Sequence, residues 1–180
     1  GIEVTQIIRS NNLLNGFDVD LSYSLKESMI SMGINLLSND ELTSVKEIRD
    51  GLEITFKSGL KKSTDNILVA VGREPNLDKL NIKSIGLEKN GIYLKVNKYN
   101  QTNKRNIFAI GDVIDKPNLT PVAIEQGRTF SDNYFGGFSK IVNYKFVPKA
   151  VFTIPELATV GMSEEEAIKT FLKENVRIFK

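Results

Sequence analysis

The sequence predicts an α/β fold, and three stretches carry that expectation. Residues 3–8 are apolar and β-branched, 18–32 are amphipathic, and 34–37 are again apolar. Together they read strand, helix, strand, the repeating unit of a parallel sheet. Residues 43–49 and 52–57 then alternate around Asp50-Gly51 as in an antiparallel hairpin, which adds a short meander to the parallel opening.

Each further element has a local reason. Leu21, Leu25 and Met29 recur at helical spacing opposite Ser22, Lys26 and Glu27, and Gly33 suits the cap that ends such a helix. After a turn at Ser58-Gly59, the run NILVAV at 66–71 reads as a buried strand ending in Gly72-Arg73-Glu74-Pro75-Asn76, and the first domain edge is expected at about residue 76. Short strands are expected at 92–96, after the Asn90-Gly91 turn, and at 106–110, stopped by Gly111-Asp112. Thr120 as N-cap and Pro121 at the first helical position open a helix that runs to about Tyr134 and ends at Gly136-Gly137. A second edge falls near Pro148. Beyond it lie strands at 150–153 and 158–160, a capping box at Ser163-Glu164-Glu165-Glu166 with a helix to about Lys173, and a strand at 176–180.

Composition excludes several functions. At 41% hydrophobic and 26% charged, the chain resembles an ordinary soluble protein, and no apolar run approaches the roughly 18 residues a membrane span needs. The opening Gly1-Ile2-Glu3-Val4 is not expected to be a leader peptide. A net charge of +2 with scattered basic residues offers no footprint for nucleic acid. With no cysteine and no histidine, the chain has no disulfide framework, no thiolate metal site, and no imidazole for acid–base work.

Chemistry concentrates in three places. Thr102, six residues, Ala109, Ile110, Gly111 and Asp112 end a predicted strand in a Gly-Asp pair. Gly111 permits close backbone approach to a ligand, and Asp112 stands where open α/β sheets bind ligands, although the same pair could simply close a turn. Leu119-Thr120-Pro121 begins the strong helix, whose N-terminus favours negative charge, and plain capping is compatible with that role. Arg9 follows the first strand with no acidic residue before Asp18, so it suits a phosphate or is an ordinary solvated charge.

The order of these stretches resembles that of the pyridine nucleotide–disulfide oxidoreductases. Within that family, NLTPVAIEQGRTFSDNYFGG, then VPKAVFTIPELATVG and SEEEA, are most similar to the glutathione reductases. The resemblance implies incomplete doubly wound nucleotide-binding folds with a short antiparallel meander, plus the start of an α+β dimerisation domain. It divides the chain into the later part of an NAD(P)-binding domain (1–76), a return segment of the FAD-binding domain (77–147) and the start of the dimerisation domain (148–180).

It further implies that Asp112 accepts a hydrogen bond from a ribityl hydroxyl of FAD, with Gly111 beside it. Thr120 would open the helix that faces the anionic side of the reduced ring. Gly72 and Leu119 would touch the nicotinamide nucleotide through their backbone, and Arg73 would either join them or hold the domain junction through Glu74 or Asp78. Arg9 implies NADPH rather than NADH, although Asn15 stands where a second arginine is frequent. The glycine-rich nucleotide motifs, the redox-active cysteine pair and the catalytic histidine of the family are not in this sequence. The chain is therefore expected to be an internal stretch of a cytoplasmic, homodimeric enzyme that reduces oxidised glutathione, with no catalytic residue of its own and no activity alone. A dihydrolipoamide dehydrogenase, a mercuric reductase, or a non-catalytic nucleotide-binding remnant are the alternatives.

Overall fold

In the computed structural model, which describes residues 1–179, Thr5–Ile8 (β1) and Asn35–Ser38 (β2) pair in parallel on either side of a helix, Val19–Ser31 (α1). The strand–helix–strand unit expected from the sequence is present, with β1 half-buried rather than fully enclosed. Contacts divide the chain into two units: Gly1–Val69 together with the segment from Pro148 onward, and Ala70–Val147.

In the first unit, α1 turns Leu25 inward as expected, but Ser22, expected on another face, is buried with it. Burying the Ser22 hydroxyl is tolerated because it accepts the Leu13 N–H at 3.1 Å. At the C-terminal end, Gly33 takes a left-handed φ of 88° while Ile34 donates back to the Met29 carbonyl, which closes the helix.

The chain next forms an antiparallel meander of Leu42–Ile48 (β3), Gly51–Phe56 (β4) and Lys61–Thr64 (β5). Alternation along β4 buries Ile54 and Phe56. Gly51 is required where the hairpin turns: φ is 124°, and a Cβ would lie 2.7 Å from the Thr64 carbonyl oxygen. The third strand was not expected, because Lys-Lys-Ser-Thr has no apolar alternation and is held by pairing with β4 alone. Ser58 donates its hydroxyl to Asp40 at 2.6 Å, and this bond, with backbone N–H groups, holds the Asp40 carboxyl below its usual range.

Residues 66–71 are a correction. They form no strand, and Leu68, Val69 and Val71 are 93%, 70% and 77% exposed. An extended apolar run becomes a buried strand only when neighbours supply its ladder, and no described residue pairs with it.

In the second unit, Lys89–Asn90 (β6) and Tyr93–Leu94 (β7) make a two-residue ladder across the Asn90-Gly91 turn. The strand expected at 92–96 is thus reduced to β7, and that at 106–110 to one bridge between Phe108 and Gln101. Side-chain bonds from Thr102 take the place of a longer ladder there. Leu77, Leu94, Ala109 and Ile114 form the core of this unit. The helix Thr120–Phe135 (α2) buries Val122, Gln126 and Thr129 and sets the Phe130 ring against that of Phe108, tilted by 59° with centroids 4.9 Å apart. Its N-cap is Leu119, so Thr120 is the first helical residue and makes no side-chain cap bond. The carbonyl of Leu119 accepts the Ala123 N–H, which sets the helix start one residue earlier than expected.

From Pro148 onward, Lys149–Val151 (β8) and Leu157–Thr159 (β9) form a hairpin, followed by the helix Glu164–Phe171 (α3). The capping box is complete, with Glu166 N–H donating to the Ser163 hydroxyl at 3.2 Å and Ser163 N–H to Glu166 Oε2 at 3.1 Å. The helix stops at Phe171, before Lys173. Residues 176–179 form no strand because nothing described pairs with them, and Lys180 lies outside the described residues. No helix among the described residues is long and apolar enough to cross a membrane.

One carboxylate ties the two sequence-distant parts of the first unit. Asp18 caps α1 by accepting the Asp20 N–H at 3.0 Å, and its other oxygen accepts the Glu164 N–H at the start of α3 at 2.9 Å. Asp18→Ala is therefore expected to destabilise the protein by about 0.5–2 kcal/mol and to speed hydrogen exchange in the first turns of both helices. Exchange that rises in α1 alone would show that the bond to Glu164 contributes nothing.

Candidate functional site

The chain reverses at Thr102, which is buried and whose N–H and hydroxyl are both engaged. Its N–H and its hydroxyl both donate to the Ile107 carbonyl, at 3.0 and 2.9 Å, and the hydroxyl accepts the Lys104 N–H at 3.1 Å. Ala109 N–H then returns to the Asn100 carbonyl at 2.9 Å, and Ala109 is small enough to sit in the core. This loop gives the Thr, six residues, Ala spacing its physical reason: it delivers Gly111 to the edge of the core.

Gly111 to Val113 form one turn of 3-10 helix. Gly111 has φ of 74°, in the left-handed region that favours glycine, and a Cβ there would meet the Ala123 side chain at 3.7 Å. The constraint is thus the backbone angle rather than space. Asp112 follows, and its Oδ2 accepts from Arg73 Nη2 at 2.8 Å. The Arg73 side chain is 76% exposed and that of Asp112 39%, so the pair lies at the surface of this unit.

The first turn of α2 packs on this turn. It contains no acidic residue, Pro121 has no N–H, and no side chain caps it. The positive end of the helix dipole is therefore not offset by a carboxylate from its own first turn. Arg73, Gly111, Asp112, Leu119 and Thr120 lie within one unit, as does Gly72, whose φ of 138° and open surroundings leave its backbone accessible. The predicted partners of Arg73, Glu74 and Asp78, are replaced by Asp112.

Arg9 belongs to the first unit, just past the carboxyl end of β1. Its Nη1 lies 4.0 Å from Glu41 Oε1, with 72% and 49% of the two side chains exposed. A contact this long and this wet holds the guanidinium weakly.

Gln126 and Tyr144 were not foreseen. Gln126 is completely buried on α2, where its Oε1 accepts the Gly111 N–H and its Nε2 donates to the Tyr144 hydroxyl at 3.1 Å. Lys116 Nζ lies 5.0 Å from the Tyr144 ring centroid, a cation–π contact. The signal was present in the sequence: Val122, Gln126 and Thr129 follow i, i+4, i+7, which places an amide on the buried stripe of the helix.

Against this geometry, the family model for pyridine nucleotide-disulphide oxidoreductases matches residues 1–127. The chain belongs to that family. Members are oxidoreductases whose cofactors are a flavin and a nicotinamide nucleotide. The chain is 35% identical over 193 residues to a glutathione reductase of Nostoc sp., a match that covers all of the chain and 42% of that protein. It is 36% identical to a trypanothione reductase of Trypanosoma congolense, over 96% of the chain and 36% of the relative. A mercuric reductase of Lysinibacillus sphaericus is 37% identical over 93% of the chain and 31% of its own length. The chain thus spans well under half the length of these relatives.

The ion pair at the site can be weighed by itself. In a double-mutant cycle of Arg73→Met and Asp112→Asn, measured by denaturant unfolding, the coupling is expected at about 0.2–1 kcal/mol, the range for exposed pairs. Strictly additive losses would show that Arg73 does not hold Asp112.

Proposed function

We propose that this chain is part of an NADPH-dependent flavoprotein disulfide reductase that acts on oxidised glutathione. The observation that carries this reading is the Gly111-Asp112 turn packed against a helix start free of acidic residues. These groups fit FAD. Asp112 has one oxygen engaged by Arg73, so Oδ1 remains to accept from a ribityl hydroxyl. The first turn of α2, through Leu119 and Thr120, favours negative charge on the ring, and Gly111 and Gly72 let backbone approach a cofactor closely. Held by Asp112 and the start of α2, a flavin would supply electron transfer between the nicotinamide and a dithiol. That dithiol is not among these 180 residues, which include no cysteine. What this chain contributes is binding, orientation and electrostatics.

Under this reading residues 1–76 belong to the NADPH-binding domain, 77–147 to the FAD-binding domain and 148–180 to a dimerisation domain. Arg9 would read the phosphate of NADPH, because its guanidinium, held only loosely by Glu41, stands at the end of β1 and is followed by no acidic residue before Asp18. The full coverage of this chain by a glutathione reductase supports glutathione as the substrate. A second reading, a sister reductase of the same family, is favoured by the 36% and 37% identity to the trypanothione and mercuric enzymes, against 35% to the glutathione reductase. Steady-state turnover of the full-length protein with oxidised glutathione, trypanothione disulfide and mercuric ion separates them, and the proposal expects the first to be preferred.

For the nicotinamide cofactor, Arg9→Glu in the full-length protein is expected to weaken NADPH binding by roughly 10- to 150-fold, the loss of one charge-assisted contact, while NADH binding changes little. Equal losses for the two cofactors, by equilibrium binding, would remove Arg9 from the phosphate site.

A further inference from the structure

The buried stripe of α2 contains one amide, and both of its ends are engaged. A backbone N–H can only donate, so the bond from Gly111 requires Gln126 to present Oε1, and Nε2 then points to the Tyr144 hydroxyl as donor. With Gln126 at 0% exposure, solvent does not reach its amide. A leucine would complete the apolar stripe beside Val122. It would also leave the Gly111 N–H without this acceptor and Tyr144 without its donor.

The bond has a directional consequence. Gly111 holds the left-handed φ that swings the chain into the turn, and Asp112 is the next residue. Fixing the Gly111 N–H to α2 therefore fixes where the Asp112 carboxylate stands relative to the start of the same helix. Gln126 lies between the two through one side chain, and Tyr144, with Lys116 against its ring, locks that side chain from behind.

We propose that Gln126, held by Tyr144, is the positioning residue of the flavin site: it sets the separation between Asp112 and the α2 N-terminus without touching the cofactor. This rests on the flavin reading given above. Gln126→Glu, which burial holds in its protonated form, keeps a carbonyl acceptor for Gly111 and a hydroxyl that can donate to Tyr144, so the geometry survives. Gln126→Leu removes both bonds. Tyr144→Phe removes one and serves where Gln126→Leu fails to fold.

The test is FAD binding to the full-length apoprotein, followed by quenching of flavin fluorescence, together with the visible spectrum and reduction potential of the reconstituted flavin. Gln126→Leu and Tyr144→Phe are expected to raise the FAD dissociation constant roughly tenfold or more, as loss of a buried hydrogen bond at a binding site does. Gln126→Glu is expected to restore the dissociation constant, visible spectrum and reduction potential to near the unmodified values, because it retains both bonds. Unmodified protein that binds no FAD would overturn the flavin reading and this inference with it. If FAD binds the unmodified protein, and Gln126→Leu and Tyr144→Phe bind it equally tightly with unchanged spectra, the inference alone fails.

Discussion

The hydrogen bond from the Gly111 amide to the buried Gln126 side chain is the constraint around which the second unit is organised. Gly111 sits at a junction where three requirements meet. Thr102 and Ala109 bring the chain up to the core edge, the left-handed φ of 74° turns it, and Ile114 N–H returns to the Gly111 carbonyl at 3.2 Å as the chain re-enters the core beside Leu94. An N–H pointing into a helix at such a junction has no strand to receive it. Gln126 supplies the acceptor, and its own burial is compensated by Tyr144. Arg73 acts from the solvent side on the next residue, Asp112, so the turn is held by a buried neutral bond and an exposed charged one. The buried bond dominates, since solvent screens the Arg73 pair but not the amide.

The first unit is tied differently. There a single carboxylate, Asp18, accepts from the N-terminal turns of two helices, one of them through Glu164, 146 positions away. Such a bond joins parts of the chain that no local pattern relates, and it also places negative charge at two positive helix ends. Both units thus use one polar side chain to join a helix to another segment of the chain.

Elements that close on themselves were legible in the sequence. The amphipathic spacing of α1, the Asp50-Gly51 hairpin and the Ser163–Glu166 capping box each depend on residues within one turn or one loop, and each is found where expected. Runs whose fate depends on partners were misread. NILVAV at 66–71 has the composition of a buried strand but is exposed for want of a ladder, while polar β5 is a strand because β4 offers one. The start of α2 was misplaced because Thr120 is a good cap by composition, yet the Leu119 carbonyl makes the first helical bond. At the candidate site, Gly111 and Asp112 stood out through their residue types. The pairing of Arg73 with Asp112, and the roles of Gln126 and Tyr144, did not, because they depend on tertiary proximity between residues 15 to 39 positions apart.

Site-resolved hydrogen–deuterium exchange at the Gly111 amide, in the full-length protein freed of FAD, tests the central claim most directly. If Gln126 holds this turn in advance of any ligand, the amide is strongly protected before FAD is added, and protection changes little afterwards. A Gly111 amide that exchanges at the rate of an open loop until FAD binds would contradict the account, since the cofactor rather than Gln126 would then order the turn.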